Sequence, residues 1–142
     1  RYRKRSCPAH PLYHRKATQR IMPRKPSRKT LVRNLDNAVS RYIRDRDKWC
    51  VLCGSTYRLQ NGHLFTRKNY STRWDVSDDG NCHALCEKCN LRDSYDTYHY
   101  RRWYREKFGT EKFDELHRKF STVRKFKNYD LEELLEEIRG LL

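Results

Sequence analysis

Two C-x2-C pairs, helical apolar periodicity on either side of them and a thin complement of apolar residues predict a small α+β fold pinned by a metal ion. The pairs are Cys50-Val51-Leu52-Cys53 and Cys86-Glu87-Lys88-Cys89, with 32 residues between them. Four thiolates so spaced suit one tetrahedral zinc. Of the 142 residues, 36% are hydrophobic and 36% charged. That is a lean core for the length, and a metal staple would reinforce it. Six cysteines with no secretion signal in the sequence favour metal binding in a reducing compartment over disulfides. The opening Arg-Tyr-Arg-Lys-Arg-Ser-Cys-Pro lacks the apolar run of a signal peptide, and it starts without Met, as a fragment or processed form would.

The elements follow in order. Residues 1–30 carry Pro8, Pro11, Pro23 and Pro26 among Lys and Arg. Proline opposes a long helix, so this reads as a basic, flexible arm that orders on nucleic acid if at all. Cys7, His10 and His14 are three metal-ligand types within the arm, read as unpaired surface residues rather than a second site. A helix is predicted over 30–47 with Thr30 as its cap, because Leu31, Leu35, Ala38, Val39, Tyr42 and Ile43 share one face. Trp49 to Gly54 forms a tight knuckle around the first pair, where Gly54 relieves the turn and lets backbone N–H groups approach sulfur. Residues 57–65 read as a short strand or a hairpin turning at Asn61-Gly62. Ser77-Asp78-Asp79-Gly80 is a turn.

A long helix is expected over 86–108, ended by Gly109. Tyr95, Tyr98, His99, Arg102 and Trp103 fall on one of its faces, a stripe assigned to core packing rather than base stacking. A short helix over 111–120 capped by Thr110, and an amphipathic one over 130–139 opened by Asp130-x-x-Glu133, complete the chain. The last can pack on its own domain or pair with a second subunit. The organisation is thus an arm at 1–30, a zinc core with its preceding helix at 31–109 and a helical extension at 110–142.

The net charge of +15 is concentrated at one end: residues 1–48 hold 16 of the 33 Lys and Arg but 3 of the 18 acids. Such asymmetry implies a polyanionic partner, with nucleic acid favoured over a membrane surface because the basic segment has no apolar stripe. No run of 18 apolar residues exists to span a bilayer.

Cys50, Cys53, Cys86 and Cys89 would close the zinc shell, so that metal is structural and the chemistry lies beside it. Cys82 falls outside the register of the second pair and is read as a spare thiol, and His83 as a surface imidazole. His63, in Asn61-Gly62-His63, is the candidate general base, since imidazole titrates where a hydrolytic water must lose its proton. Hydrolysis of a phosphodiester also calls for a hard cation, Mg²⁺ or Mn²⁺. Arg67 and Arg73 are candidate phosphate clamps.

His63, Asn81 and Asn90, together with the four cysteines, resemble the HNH (ββα-metal, treble-clef) nuclease motif. The stretches Asn61-Gly62-His63-Leu64-Phe65-Thr66-Arg67, Thr72-Arg73-Trp74-Asp75 and Asn81-Cys82-His83-Ala84-Leu85-Cys86-Glu87-Lys88-Cys89-Asn90 are similar to the NinG (Rap) recombination endonucleases of lambdoid phages. The ending Tyr129-Asp130-Leu131-Glu132-Glu133-Leu134 also fits, and the resemblance covers about residues 31–140. It implies that His63 activates water, that Asn81 fixes the loop and the histidine, and that Asn90 binds the catalytic cation. It further implies cleavage of branched DNA such as Holliday junctions and D-loops, with a homodimer for symmetric cutting, in the cytoplasm of a bacterial host. Phage endonuclease VII has a similar four-cysteine zinc. Many HNH enzymes carry Asp before the first histidine as a cation ligand; here Gly62 stands there, and Asp75 is the first candidate for the missing carboxylate. Two other readings are a non-catalytic zinc module that binds nucleic acid and a sequence-specific HNH endonuclease.

Overall fold

A computed structural model describes residues 24–142. The arm up to residue 23, with Cys7, His10 and His14, lies outside the described residues. The chain is α+β, with six helices and a two-stranded sheet among those residues: α1 (Arg28–Asp47), β1 (Leu59–His63), α2 (Tyr70–Arg73), β2 (Cys82–Cys86), α3 (Glu87–Asp93), α4 (Tyr98–Phe108), α5 (Thr110–Ser121) and α6 (Asn128–Gly140).

Helix α1 starts earlier than the pattern indicated. Ser27, not Thr30, caps it, its hydroxyl accepting from the Thr30 N–H at 3.2 Å. Leu31, Leu35, Val39 and Ile43 are fully buried at i, i+4, i+8 and i+12, each contributing roughly 1.5–3 kcal/mol. Their partners are Leu131, Leu135 and Ile138 of α6, so the C-terminal stripe packs on its own chain. Helix α6 starts at Asn128 rather than Asp130, which is its third residue and accepts from the Lys127 N–H at 2.6 Å.

Strands β1 and β2 pair antiparallel, with Leu59 opposite Cys86 and His63 opposite Cys82. Asn61-Gly62 is therefore strand interior rather than a hairpin turn, and Gly62 lies opposite His83. Every residue of β2 is buried because both faces are covered. Cys82 and Ala84 join the α1–α6 core. Leu85 joins a second core with Cys50, Leu64, Phe65, Tyr100, Tyr104, Phe113 and Leu116. The outer edge of β2 is closed too: Ala84 N–H donates to Asp47 at 2.7 Å and Ala84 C=O accepts from Val51 at 3.0 Å. A two-stranded sheet is marginal alone; here helix, knuckle and strand share one hydrogen-bond network.

The helix expected over 86–108 is two. It breaks at 94–97, where Ser94 Oγ donates back to Asn90 C=O at 3.2 Å and Asp96 accepts from the Tyr98 N–H at 3.0 Å. Short polar side chains offer the backbone these local alternatives to a helix. The break overturns the expected stripe. Tyr95 and Tyr98 are 86% and 59% exposed, and Tyr100 and Tyr104 fill the core instead. Gly109 carries φ 91 as it links α4 to α5, a conformation suited to glycine.

Candidate active site and metal centre

The sulfur atoms of Cys50, Cys53, Cys86 and Cys89 lie within 4.8 Å of one another, and those of Cys53 and Cys86 are 3.6 Å apart. Tetrahedral zinc at ordinary Zn–S lengths places sulfurs about 3.8 Å apart, so this quartet fits the ion. Gly54 makes the knuckle possible with φ 73, although its N–H donates to the Cys50 carbonyl at 2.8 Å rather than to sulfur. Backbone N–H groups do reach sulfur from Cys89, 3.5 Å from Cys86 Sγ, and from Ser55 to Cys53. Burial and the neighbouring sulfurs push the Cys89 thiol well up, a cost that a bound dication would reverse. Cys82 stands outside the quartet; fully buried, its thiol is pushed up to about 12.

Beside the quartet lies an open hollow of about 640 Å³, lined among others by Asp36, Gln60, His63, Arg67, Asn90, Asp93 and Arg101. His63 ends β1 at its wall. Its Nε2 is 3.1 Å from the Arg73 carbonyl. A carbonyl can only accept, so Nε2 carries the proton and Nδ1 keeps its lone pair. Burial drives the His63 pKa down to about 4, with the Arg67 and Arg73 charges adding to it against the pull of the Arg73 carbonyl and Asp36. The imidazole is therefore neutral at pH 7.

Asn81 is buried behind the hollow. Its Oδ1 accepts from the Phe65 N–H at 2.7 Å and its Nδ2 donates to the Phe65 carbonyl at 2.9 Å. That two-point clamp holds the chain leaving β1. Asn90, on α3, donates Nδ2 to Gln60 Oε1 at 2.7 Å, which leaves its Oδ1 as an oxygen donor.

Asp75 does not line this hollow. It binds Lys119 and the Ser77 hydroxyl, both at 2.6 Å, and serves the turn before β2. The carboxylates that do line it are Asp36 and Asp93. Asp93 Oδ1 is buried without a hydrogen-bond partner, and burial raises its pKa, Arg101 opposing. Asp93 is three residues after Asn90, one helical turn on the same face, a signal the sequence carried. Asp36 had none, because it reaches the site by packing of α1 against the sheet.

Arg73 is not free to grip a phosphate. Its Nε and Nη2 bind Asp36 at 2.9 and 2.6 Å, with Trp74 Nε1 at 2.8 Å from the same carboxylate. Arg67 is exposed and is in no ion pair among the described residues. Gly62 has a steric reason: a Cβ there would stand 2.4 Å from Leu85 Cδ1 and 2.6 Å from Leu85 Cγ. An aspartate in its place would force the buried Leu85 side chain to move. His83 proves buried rather than exposed, with Nδ1 2.8 Å from the Tyr100 hydroxyl and Nε2 3.0 Å from the Asp78 carbonyl.

The profile of the family described as Bacteriophage Lambda NinG protein matches residues 3–142. The chain belongs to the NinG family. It is a NinG-type phage protein, related to recombination. No curated protein and no solved structure matches it. The match takes in the residues before 31 that the sequence resemblance left out, so the basic segment is part of the NinG pattern. No helix among the described residues is long and apolar enough to cross a membrane.

Proposed function

We propose that this NinG-type chain is a divalent-metal-dependent endonuclease that hydrolyses phosphodiester bonds in branched DNA, Holliday junctions and D-loops among them. The observation that carries the reading is the convergence of a neutral imidazole, an amide oxygen and an unpartnered carboxylate, from His63, Asn90 and Asp93, on one hollow. His63 Nδ1 takes the proton of the attacking water. The Arg73 carbonyl holds the ring and stabilises the imidazolium that forms. Asn90 Oδ1 and Asp93 are hard oxygen donors that suit Mg²⁺ or Mn²⁺. When bound, such an ion neutralises charge on the phosphate and the leaving oxygen. Asp93 supplies the carboxylate that Gly62 cannot. Arg67 meets a neighbouring phosphate at the rim, and Asn81 keeps the loop from β1 in place.

In this reading the quartet holds zinc, and β1, β2 and α3 form a treble-clef, ββα-metal core. Recognition is of DNA shape. The basic segment adds affinity that falls steeply with salt. Two active sites are needed to cut a junction symmetrically, so the chain acts as a homodimer. The test compares Asp93→Asn with Asp75→Asn on a labelled four-way junction in Mg²⁺. Asp93→Asn should lose on the order of 100-fold or more in cutting rate, while Asp75→Asn stays within about twofold. Equal losses would remove Asp93 from the site. Equal cutting of junction and linear duplex by the unmodified chain would overturn the branched substrate.

A further inference from the structure

The break between α3 and α4 leaves two tyrosines outside both cores. Tyr95 and Tyr98 are 86% and 59% exposed, three residues apart on the corner that the chain turns there. Beside them lies a hollow of about 340 Å³ lined by Asp96, Thr97, Tyr98, Arg101, Arg102 and Arg105. It shares Thr97 and Arg101 with the hollow that holds His63, so the two adjoin at these side chains. Of its cations, Arg102 is bound by Glu106 at 2.7 Å. Arg101 and Arg105 are in no ion pair among the described residues, and Arg101 Nε is buried without a hydrogen-bond partner. The acid of this hollow, Asp96, is occupied by the Tyr98 N–H at 3.0 Å and lies 3.9 Å from His99.

We propose that this corner is a track for single-stranded nucleic acid leading away from the His63 hollow. Arg101 and Arg105 meet its phosphates, and Tyr95 and Tyr98 stack on its bases. The location rests on the reading of that hollow as the nuclease site. The occupant is chosen by the chemistry. An intact duplex offers phosphates to the arginines, but its bases are stacked on each other and have no free face for the tyrosines. An unpaired strand offers both. A D-loop carries an unpaired strand, which a fully paired four-way junction need not, so the corner would help tell a branched substrate with a free strand from plain duplex.

The experiment measures binding with no divalent ion added, so that no strand is cut. The probes are a fluorescein-labelled duplex with a ten-nucleotide single-stranded tail and a blunt duplex of equal length. Tyr95→Ala/Tyr98→Ala should weaken tailed-duplex binding roughly 10- to 100-fold, and blunt-duplex binding by less than about twofold. Tyr95→Phe/Tyr98→Phe should restore the tail preference, because phenyl rings still stack. Both side chains lie in solvent, and the Phe variant controls for folding. Unchanged tail binding, or equal loss on both probes, overturns the proposal. A change in molecular mass by light scattering with no change in DNA binding also overturns it, in favour of a protein contact. A chain that binds tails through these rings yet cuts nothing would defeat the nuclease reading and leave this one standing.

Discussion

Two imidazoles on neighbouring strands, His63 and His83, are both driven by burial to a pKa of about 4, yet their partners give them different work. His83 is enclosed, one nitrogen on Tyr100 and the other on Asp78. His63 is bonded at one nitrogen, Nε2 on the Arg73 carbonyl, and its Nδ1 has no hydrogen-bond partner among the described residues. Their folded pKa lies below the unfolded value near 6.5, so the neutral form stabilises the fold. That stability is fully present above pH 6.5. It is lost as pH falls from 6.5 to 4, where the unfolded chain binds protons that the folded one refuses, and the loss levels off below 4. For fully buried His83 the cost is about 3 kcal/mol. Imidazole NMR should show His83 titrating near 4, and denaturation midpoints should fall across that window. A His83 that titrates near 6.5 would contradict the burial.

Asp36 acts through others. It grips Arg73, whose carbonyl holds His63. Asp36→Asn keeps the shape but weakens the grip, and should lower junction cutting on the order of 10- to 100-fold with DNA affinity little changed. It should also shift the pH profile of cutting down, since Asp36 raises the His63 pKa. A variant that cuts with an unaltered rate and profile would separate Asp36 from His63.

At the scale of elements, α1 and α6 close the fold from the two ends of the described chain. Leu131 is completely buried between them, so Leu131→Ala should cost roughly 2–5 kcal/mol in chemical denaturation. A loss under about 1 kcal/mol would mean that α6 is only loosely docked. Element identity was legible in the sequence wherever a period was sustained: the apolar faces of α1 and α6 are plain, and the C-x2-C spacing brought the four cysteines together. What was not legible depended on local capping or on distant packing. The Ser94-Tyr95-Asp96-Thr97 break looks like a continuing period until the side chains of Ser94 and Asp96 are seen to take the backbone groups. Asp36 and Asp93 were missed for different reasons. The first comes to the hollow only through tertiary packing, and the second was signalled by its spacing from Asn90. Arg73 reads as a surface cation because its partner lies 37 residues earlier. His83 reads as exposed because the aromatic cage of α4 lies beyond the helix break.

For the whole molecule, two modest cores meet across a two-stranded sheet, and the sulfur quartet ties the knuckle to the start of α3. The chain should carry about one equivalent of zinc at this site, and Cys53→Ser/Cys89→Ser should lose it together with cooperative unfolding. Metal analysis and calorimetry check both. Full stability without metal would show that the cores suffice.

The most direct measurement sets the chain against His63→Ala on a labelled four-way junction and a matched linear duplex, with Mg²⁺ or with no divalent ion added. The nuclease reading predicts Mg²⁺-dependent cutting of the junction in preference to the duplex, abolished by His63→Ala while junction binding survives. Tight binding with no cutting under Mg²⁺ or Mn²⁺ would contradict it, and would make the zinc fold a platform that holds DNA without hydrolysing it.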